Sequence, residues 1–157
     1  MKKLLIATLM VTTTLFFVAC GGNSTTANKT SSTTGMDSVV PGIPGNKGIG
    51  KFTKVELSSP LDDRMVANGQ AIFNSKCLTC HKLDELKLVG PGLKDVTKRR
   101  TPEWIMNFVS YPDTMFEKDA TAKAMLDICH VKMPNLKLAD EEVRAVLEYL
   151  RRNDGEK

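Results

Sequence analysis

The last 99 residues of this chain predict a helical domain, and three observations point there. Apolar residues recur at helical spacing in two separate stretches, Leu61 to Phe73 and Val143 to Leu150. No alternating or β-branched run precedes the cysteines at 77 and 80. Nearly all the charge falls within 59–157, whereas residues 1–20 are mostly apolar and 21–58 are rich in Ser, Thr, Gly, Asn and Pro. With 41% hydrophobic and 25% charged residues, the 157-residue chain has the balance of a folding globular protein. Sixteen of its 22 basic and sixteen of its 18 acidic residues lie in 59–157, so that part is formally neutral. A nucleic-acid footprint is therefore not expected.

Residues 1–19 read as an export signal. Lys2 and Lys3 form a positive start, and Leu4 to Val18 is an apolar run, broken by four threonines, that is too short to span a membrane. Phe17-Val18-Ala19-Cys20-Gly21 resembles the lipobox of bacterial lipoproteins, in which the cysteine becomes the lipidated N-terminus; it departs from the usual pattern at Phe17, where Leu is commonest. The resemblance implies lipid attachment at Cys20 and a protein anchored to a membrane facing the periplasm, outer or inner undecided. The alternative is ordinary cleavage near Ala19, with Cys20 left as a thiol. Residues 20–58 follow as the lipidated cysteine and a flexible polar tether, spanning roughly 30–40 Å as a coil. Val55-Glu56-Leu57 is expected as a short extended piece docking on the domain.

The domain proper, 59–157, opens with Ser59-Pro60 as N-cap and first residue of a helix, with Asp62 and Asp63 in its first turn. Leu61, Met65, Gly69, Ile72 and Phe73 share one face. That helix runs into Cys77-Leu78-Thr79-Cys80-His81. In C-x-x-C-H, two thiols one turn apart can each add to a haem vinyl group, and the adjacent imidazole is then held under the iron. A structural zinc site would need four ligands, and Cys129 and His130, the remaining candidates, are sequence neighbours that could not easily share one metal. A thioredoxin-like pair wants a βαβ context, and a plain disulfide leaves His81 unexplained. Further on, Thr101-Pro102-Glu103 opens a helix with Ile105, Phe108 and Val109 inward and Pro112 beyond its end. Another helix is expected over 116–128. Lys98-Arg99-Arg100 reads as a solvated run. The last helix begins at Asp140-Glu141-Glu142, buries Val143, Val146, Leu147 and Leu150, and ends near Arg151 and Arg152.

Taken together, residues 59–157 resemble a class I c-type cytochrome domain. The resemblance implies an all-α, cytochrome c-like fold around one covalently bound haem c, attached through Cys77 and Cys80 with His81 as the first axial ligand. It implies a close crossing of the first and last helices through Gly69, Phe73 and Tyr149. Ala139 departs from the Ser or Thr usual at that cap. Val89-Gly90-Pro91-Gly92-Leu93 matches the family's Gly-Pro-x-Leu turn, in which the proline carbonyl orients the ligand imidazole; Pro91 would hold His81 so. Met133, before Pro134 and 52 residues past His81, stands in the family's Met-Pro ligand loop. Met65, Met106, Met115 and Met125 fall in or beside helices and read as core. His130 is the rival sixth ligand, or else a surface residue capping the preceding helix; Cys129 reads as a small buried hydrophobe, with an intermolecular disulfide as the alternative. One arginine of 98–100, or Trp104, could meet a haem propionate.

The function implied is transfer of single electrons between extracytoplasmic redox proteins by a membrane-anchored, monomeric monohaem carrier that does no bond chemistry itself. Lysines 76, 82 and 132 would form a weak docking patch around the haem edge. Two alternatives remain open: a donor subunit fixed in a terminal reductase or oxidase complex, and a sensor or peroxidase with an open iron.

Overall fold

A computed structural model describes residues 44–157 of the chain. Cys20 and the apolar run before it lie outside the described residues. Among the described residues there are six helices and no strand: α1 (Asp63–Lys76), α2 (Val96–Arg99), α3 (Pro102–Ser110), α4 (Pro112–Lys118), α5 (Ala120–Cys129) and α6 (Asp140–Asn153). The helical fold expected from the sequence is present. Among these residues no helix is long and apolar enough to cross a membrane.

The frame is the crossing of α1 and α6, the most extensive packing between helices. Gly69 makes it possible. A Cβ at that position would clash with the Ala145 carbonyl and come within 2.8 Å of Tyr149 Cβ. Phe73 and Tyr149 pack beside it with ring centroids 5.5 Å apart at 54°, a favoured tilt for aromatic pairs. The core extends from Phe73, Val143, Val146, Leu147 and Leu150 to Trp104, Ile105, Met106 and Phe108 of α3 and to Met115 and Phe116 of α4.

Several boundaries differ from expectation. Helix α1 starts at Asp63 with Asp62 as its N-cap, whose carboxylate accepts from the amides of Arg64 and Met65, rather than at Ser59-Pro60. An aspartate oxygen can reach both amides, and that outweighs the serine–proline signal. Val66 rather than Met65 lies in the core, and Met65 is half-exposed. Pro112 does not merely end α3: it opens α4, and the helix expected over 116–128 is two helices broken at Asp119, which caps the second. The basic run 98–100 is not all solvated: Lys98 is exposed and Arg99 half-buried, but Arg100 is buried against the Trp104 ring. Ala139 has no side-chain acceptor, yet α6 keeps half of a capping box because Glu142 accepts from the Ala139 amide at 2.7 Å.

The largest difference concerns 46–58, expected as tether. These residues form a strap along α3. Asn107, 1% exposed, donates to the carbonyls of Lys47 and Phe52 and accepts from the Phe52 amide. Thr101 Oγ1 donates to the Asn46 carbonyl, and the Val55 amide reaches Glu103 at 3.3 Å. Leaving a buried amide such as Asn107 without these partners would cost about 1–3 kcal/mol per orphaned group. Of the expected extended piece, Val55 docks while Glu56 and Leu57 are exposed. At the other end the strap reaches α6, where Arg151 donates to the Ser58 carbonyl while paired with buried Glu148.

Candidate haem site

The cysteine motif begins where α1 ends. The Cys77 amide still bonds to the Phe73 carbonyl, and the Cys80 and His81 amides then fold back on the Cys77 carbonyl at 3.0 and 2.9 Å. One tight turn thus places both thiols and the imidazole on the same wall. The following loop is tied back by the Gly90 amide to the Cys80 carbonyl and by the Leu93 amide to the Lys82 carbonyl. This brings Pro91 under His81, whose Nδ1 lies 2.9 Å from the Pro91 carbonyl oxygen. A carbonyl can only accept, so Nδ1 carries the hydrogen and Nε2 is left with its lone pair. Burial lowers the pKa of His81, partly offset by the Pro91 carbonyl, so the ring is neutral at neutral pH. Gly90 is a close approach: a Cβ there would lie 2.8 Å from both ring nitrogens.

The turn faces a cavity of two lobes that share Cys77, His81, Pro91, Phe108, Met125 and Met133. The first lobe opens between Lys76, Val89, Val131, Lys132 and Pro134, and Cys80, Phe116 and Cys129 complete its walls. The second is closed by Phe73, Leu93, Val96, Ile105, Val146 and Leu150, with Arg99, Arg100 and Trp104 at one side. These walls are overwhelmingly apolar, with charge confined to the mouth and to the two arginines. They suit a flat, apolar ring system bearing anionic edges. Burial, with the charge of Cys80 behind it, pushes the Cys77 thiol up to about 11, so it stays protonated. All three cysteines of the described residues are free of disulfides. Among those residues no group of three or more His, Cys, Asp or Glu side chains is arranged to hold a metal ion.

The residues singled out in the sequence are therefore largely brought together: Cys77, Cys80, His81, Pro91 and Met133 line one cavity. His130 does not join them. It is exposed, takes a left-handed conformation at φ 58° and closes α5 through its amide to Leu126. Of the three lysines, Lys76 and Lys132 flank the mouth, whereas Lys82 faces a separate shallow groove with Glu85 and Asn153. Trp104 is no candidate for an anionic edge, because its one N–H already donates to buried Asp119 at 3.2 Å. Cys129 is half-buried and faces the cavity rather than the core. Met125, expected in the core, borders both lobes. The signal for both is present in the sequence, since 125 and 129 are one helical turn apart and so share a face.

Known proteins agree with this geometry. Residues 66–154 match the family model described as Cytochrome c. Among solved structures, the chain is similar to a cytochrome c from Rhodothermus marinus, 37% identical with a TM-score of 0.65, covering 67% of this chain and 90% of that one. It is also similar to an engineered form of that cytochrome c, 35% identical with a TM-score of 0.64 over the same shares. That engineered protein bound to a carbene intermediate matches at 36% identity and a TM-score of 0.62, again covering 67% and 90%. No curated protein matches.

Proposed function

Because the chain belongs to the cytochrome c family and is a haem electron carrier, we propose that it works as a lipid-anchored, monomeric shuttle outside the cytoplasm, with His81 and Met133 as the residues that would hold the iron of its one haem c. The haem, covalently held through the cysteine pair, supplies a one-electron iron couple. The observation that carries the ligand assignment is the His81–Pro91 bond on a cavity shared with both cysteines and Met133. Pro91 fixes the tautomer that presents Nε2. Met133 offers a soft thioether that favours the reduced iron. Phe108, Phe116, Val146 and Leu150 keep water from the site, and Lys76 and Lys132 at the mouth attract an acidic redox partner. With His81 and Met133 both holding the iron, no position would be open to a substrate, and the carrier would do no bond chemistry.

Spectra of the haem-loaded protein, oxidised and reduced, with and without CO, test the ligand pair. A low-spin haem indifferent to CO is expected; Met133→Ala should bind CO and lower the midpoint potential. CO binding by the unaltered protein would overturn the assignment. Anchoring is supported by the lipobox-like residues ending at Cys20. Cys20→Ser should move the protein from the membrane fraction to the soluble periplasmic fraction, and an unchanged distribution would remove the lipid.

A further inference from the structure

Asp119 sits in the break between α4 and α5, 5% exposed. Its Oδ1 accepts from the Ala122 amide at 2.8 Å, capping α5, and from Trp104 Nε1 at 3.2 Å. Its Oδ2 accepts from Asn46 Nδ2, in the strap, at 2.7 Å. Asn46 is held in turn, as its Oδ1 accepts from the Gly48 amide at 2.8 Å. Gly48 lies close against Met115 and Trp104, where a Cβ would come within 2.8 Å of Met115 Cε and 3.2 Å of Trp104 Cδ1. One carboxylate thus joins the strap, a wall of the haem cavity and the start of α5.

Helix α5 is held at its start by that joint, and near its end by Lys87, whose Nζ donates to the Ile128 carbonyl at 2.9 Å. Its only buried residues are Thr121 and Ala122, in the turn that Asp119 caps, and it packs broadly against α4 alone among the helices. From this fixed first turn the helix runs along the cavity with Met125 and Cys129 and, past His130, delivers the loop bearing Met133. In that loop Val131, Lys132, Pro134 and Asn135 are exposed, Met133 and Leu138 pack against the core, and Asn135 donates to the Ser110 carbonyl at 3.3 Å.

We propose that Asn46 is a positioning residue for the sixth ligand: by its bond to Asp119 the strap sets the base of α5, and α5 sets the Met133 loop against the iron. The proposal rests on the reading of Met133 as that ligand. It makes the segment before the domain part of the redox centre.

The two oxygens of Asp119 have separate partners, which allows a polarity swap in the haem-loaded full chain. Asn46→Asp faces two carboxylates. Asp119→Asn keeps the oxygen that serves Ala122 and Trp104 but turns an amide donor toward Asn46. The double variant Asn46→Asp/Asp119→Asn restores a donor–acceptor pair with its direction reversed. The readouts are the methionine-to-iron charge-transfer band of the oxidised protein, the apparent affinity of free imidazole for the sixth position, and the thermal midpoint. Each single variant should weaken the band and raise imidazole affinity roughly tenfold, the worth of one charge-assisted hydrogen bond; the double variant should return both toward the starting values. Singles that lower the midpoint while leaving band and imidazole affinity unchanged would make the contact merely structural and overturn the proposal. So would a double variant no better than the singles. A starting protein without a band that Met133→Ala removes would overturn it too, together with the ligand reading on which it rests.

Discussion

The imidazole of His81 is held by one carbonyl and one missing side chain. Pro91 sets its tautomer, and Gly90 leaves the space in which the ring stands. A methyl group at 90 would sit 2.8 Å from both nitrogens, and the ring cannot swing aside without breaking its bond to Pro91. Gly90→Ala is therefore expected to reduce the yield of correctly ligated protein several-fold, read as the low-spin haem fraction per chain. An unchanged fraction and an unchanged midpoint potential would show that the loop yields instead. Both residues are legible in the sequence as a Gly-Pro turn following the cysteine motif, because a turn's chemistry lies within a few residues. His130 is not decided there. Three residues from Met133 it is a rival, though the Met-Pro pair favours Met133; its left-handed backbone and its amide bond to Leu126 place it at the end of a helix, the other reading the sequence offers.

Helices α1 and α6 are legible in their periodicity, and the residues expected at their crossing are the ones that meet. Gly69→Ala should cost about 1–3 kcal/mol, the range for overpacking, because the obstacle is the Ala145 backbone rather than a side chain that can rotate. Thermal unfolding of the haem-loaded protein would measure it; a loss below about 0.5 kcal/mol, the ordinary scatter of surface changes, would mean that the helices part easily. The departures from expectation along the chain share a cause. Asp62 displaces Ser59-Pro60 as the start of α1, and Asp119 splits the helix expected over 116–128. In both, a carboxylate that can cap locally prevails, over a serine–proline start at α1 and over a longer apolar pattern at α5, and only the packed structure shows which aspartate finds free amides. The strap is hidden for a related reason. Periodicity marks apolar faces, whereas 46–58 is bound through its main chain by Asn107, Thr101 and Glu103, each about 50 residues away.

Residues 59–157 are formally neutral, and the strap adds Lys47, Lys51 and Lys54 against Glu56, yet these charges are not evenly placed. Lys76 and Lys132 stand beside the cavity mouth among exposed Val89 and Val131, while Lys82 is turned elsewhere. Two cations on an apolar rim make a weak dock, so single-turnover electron transfer to an acidic partner should slow as ionic strength rises from low to physiological, since exposed charges are screened beyond roughly 10 Å at 0.1 M salt. Rates independent of salt would assign docking to the apolar rim alone. Lys76→Gln with Lys132→Gln should flatten the dependence. The haem chemistry and the helical class are written in the linear chain, because C-x-x-C-H, helix caps and apolar periods are short-range patterns whose geometry follows from spacing between residues. Which aspartates cap helices, and that the polar segment 46–58 belongs to the domain, are decided by the tertiary structure. Those depend on contacts between residues far apart in sequence, and a buried partner for a polar group is chosen only when the whole chain has packed around it.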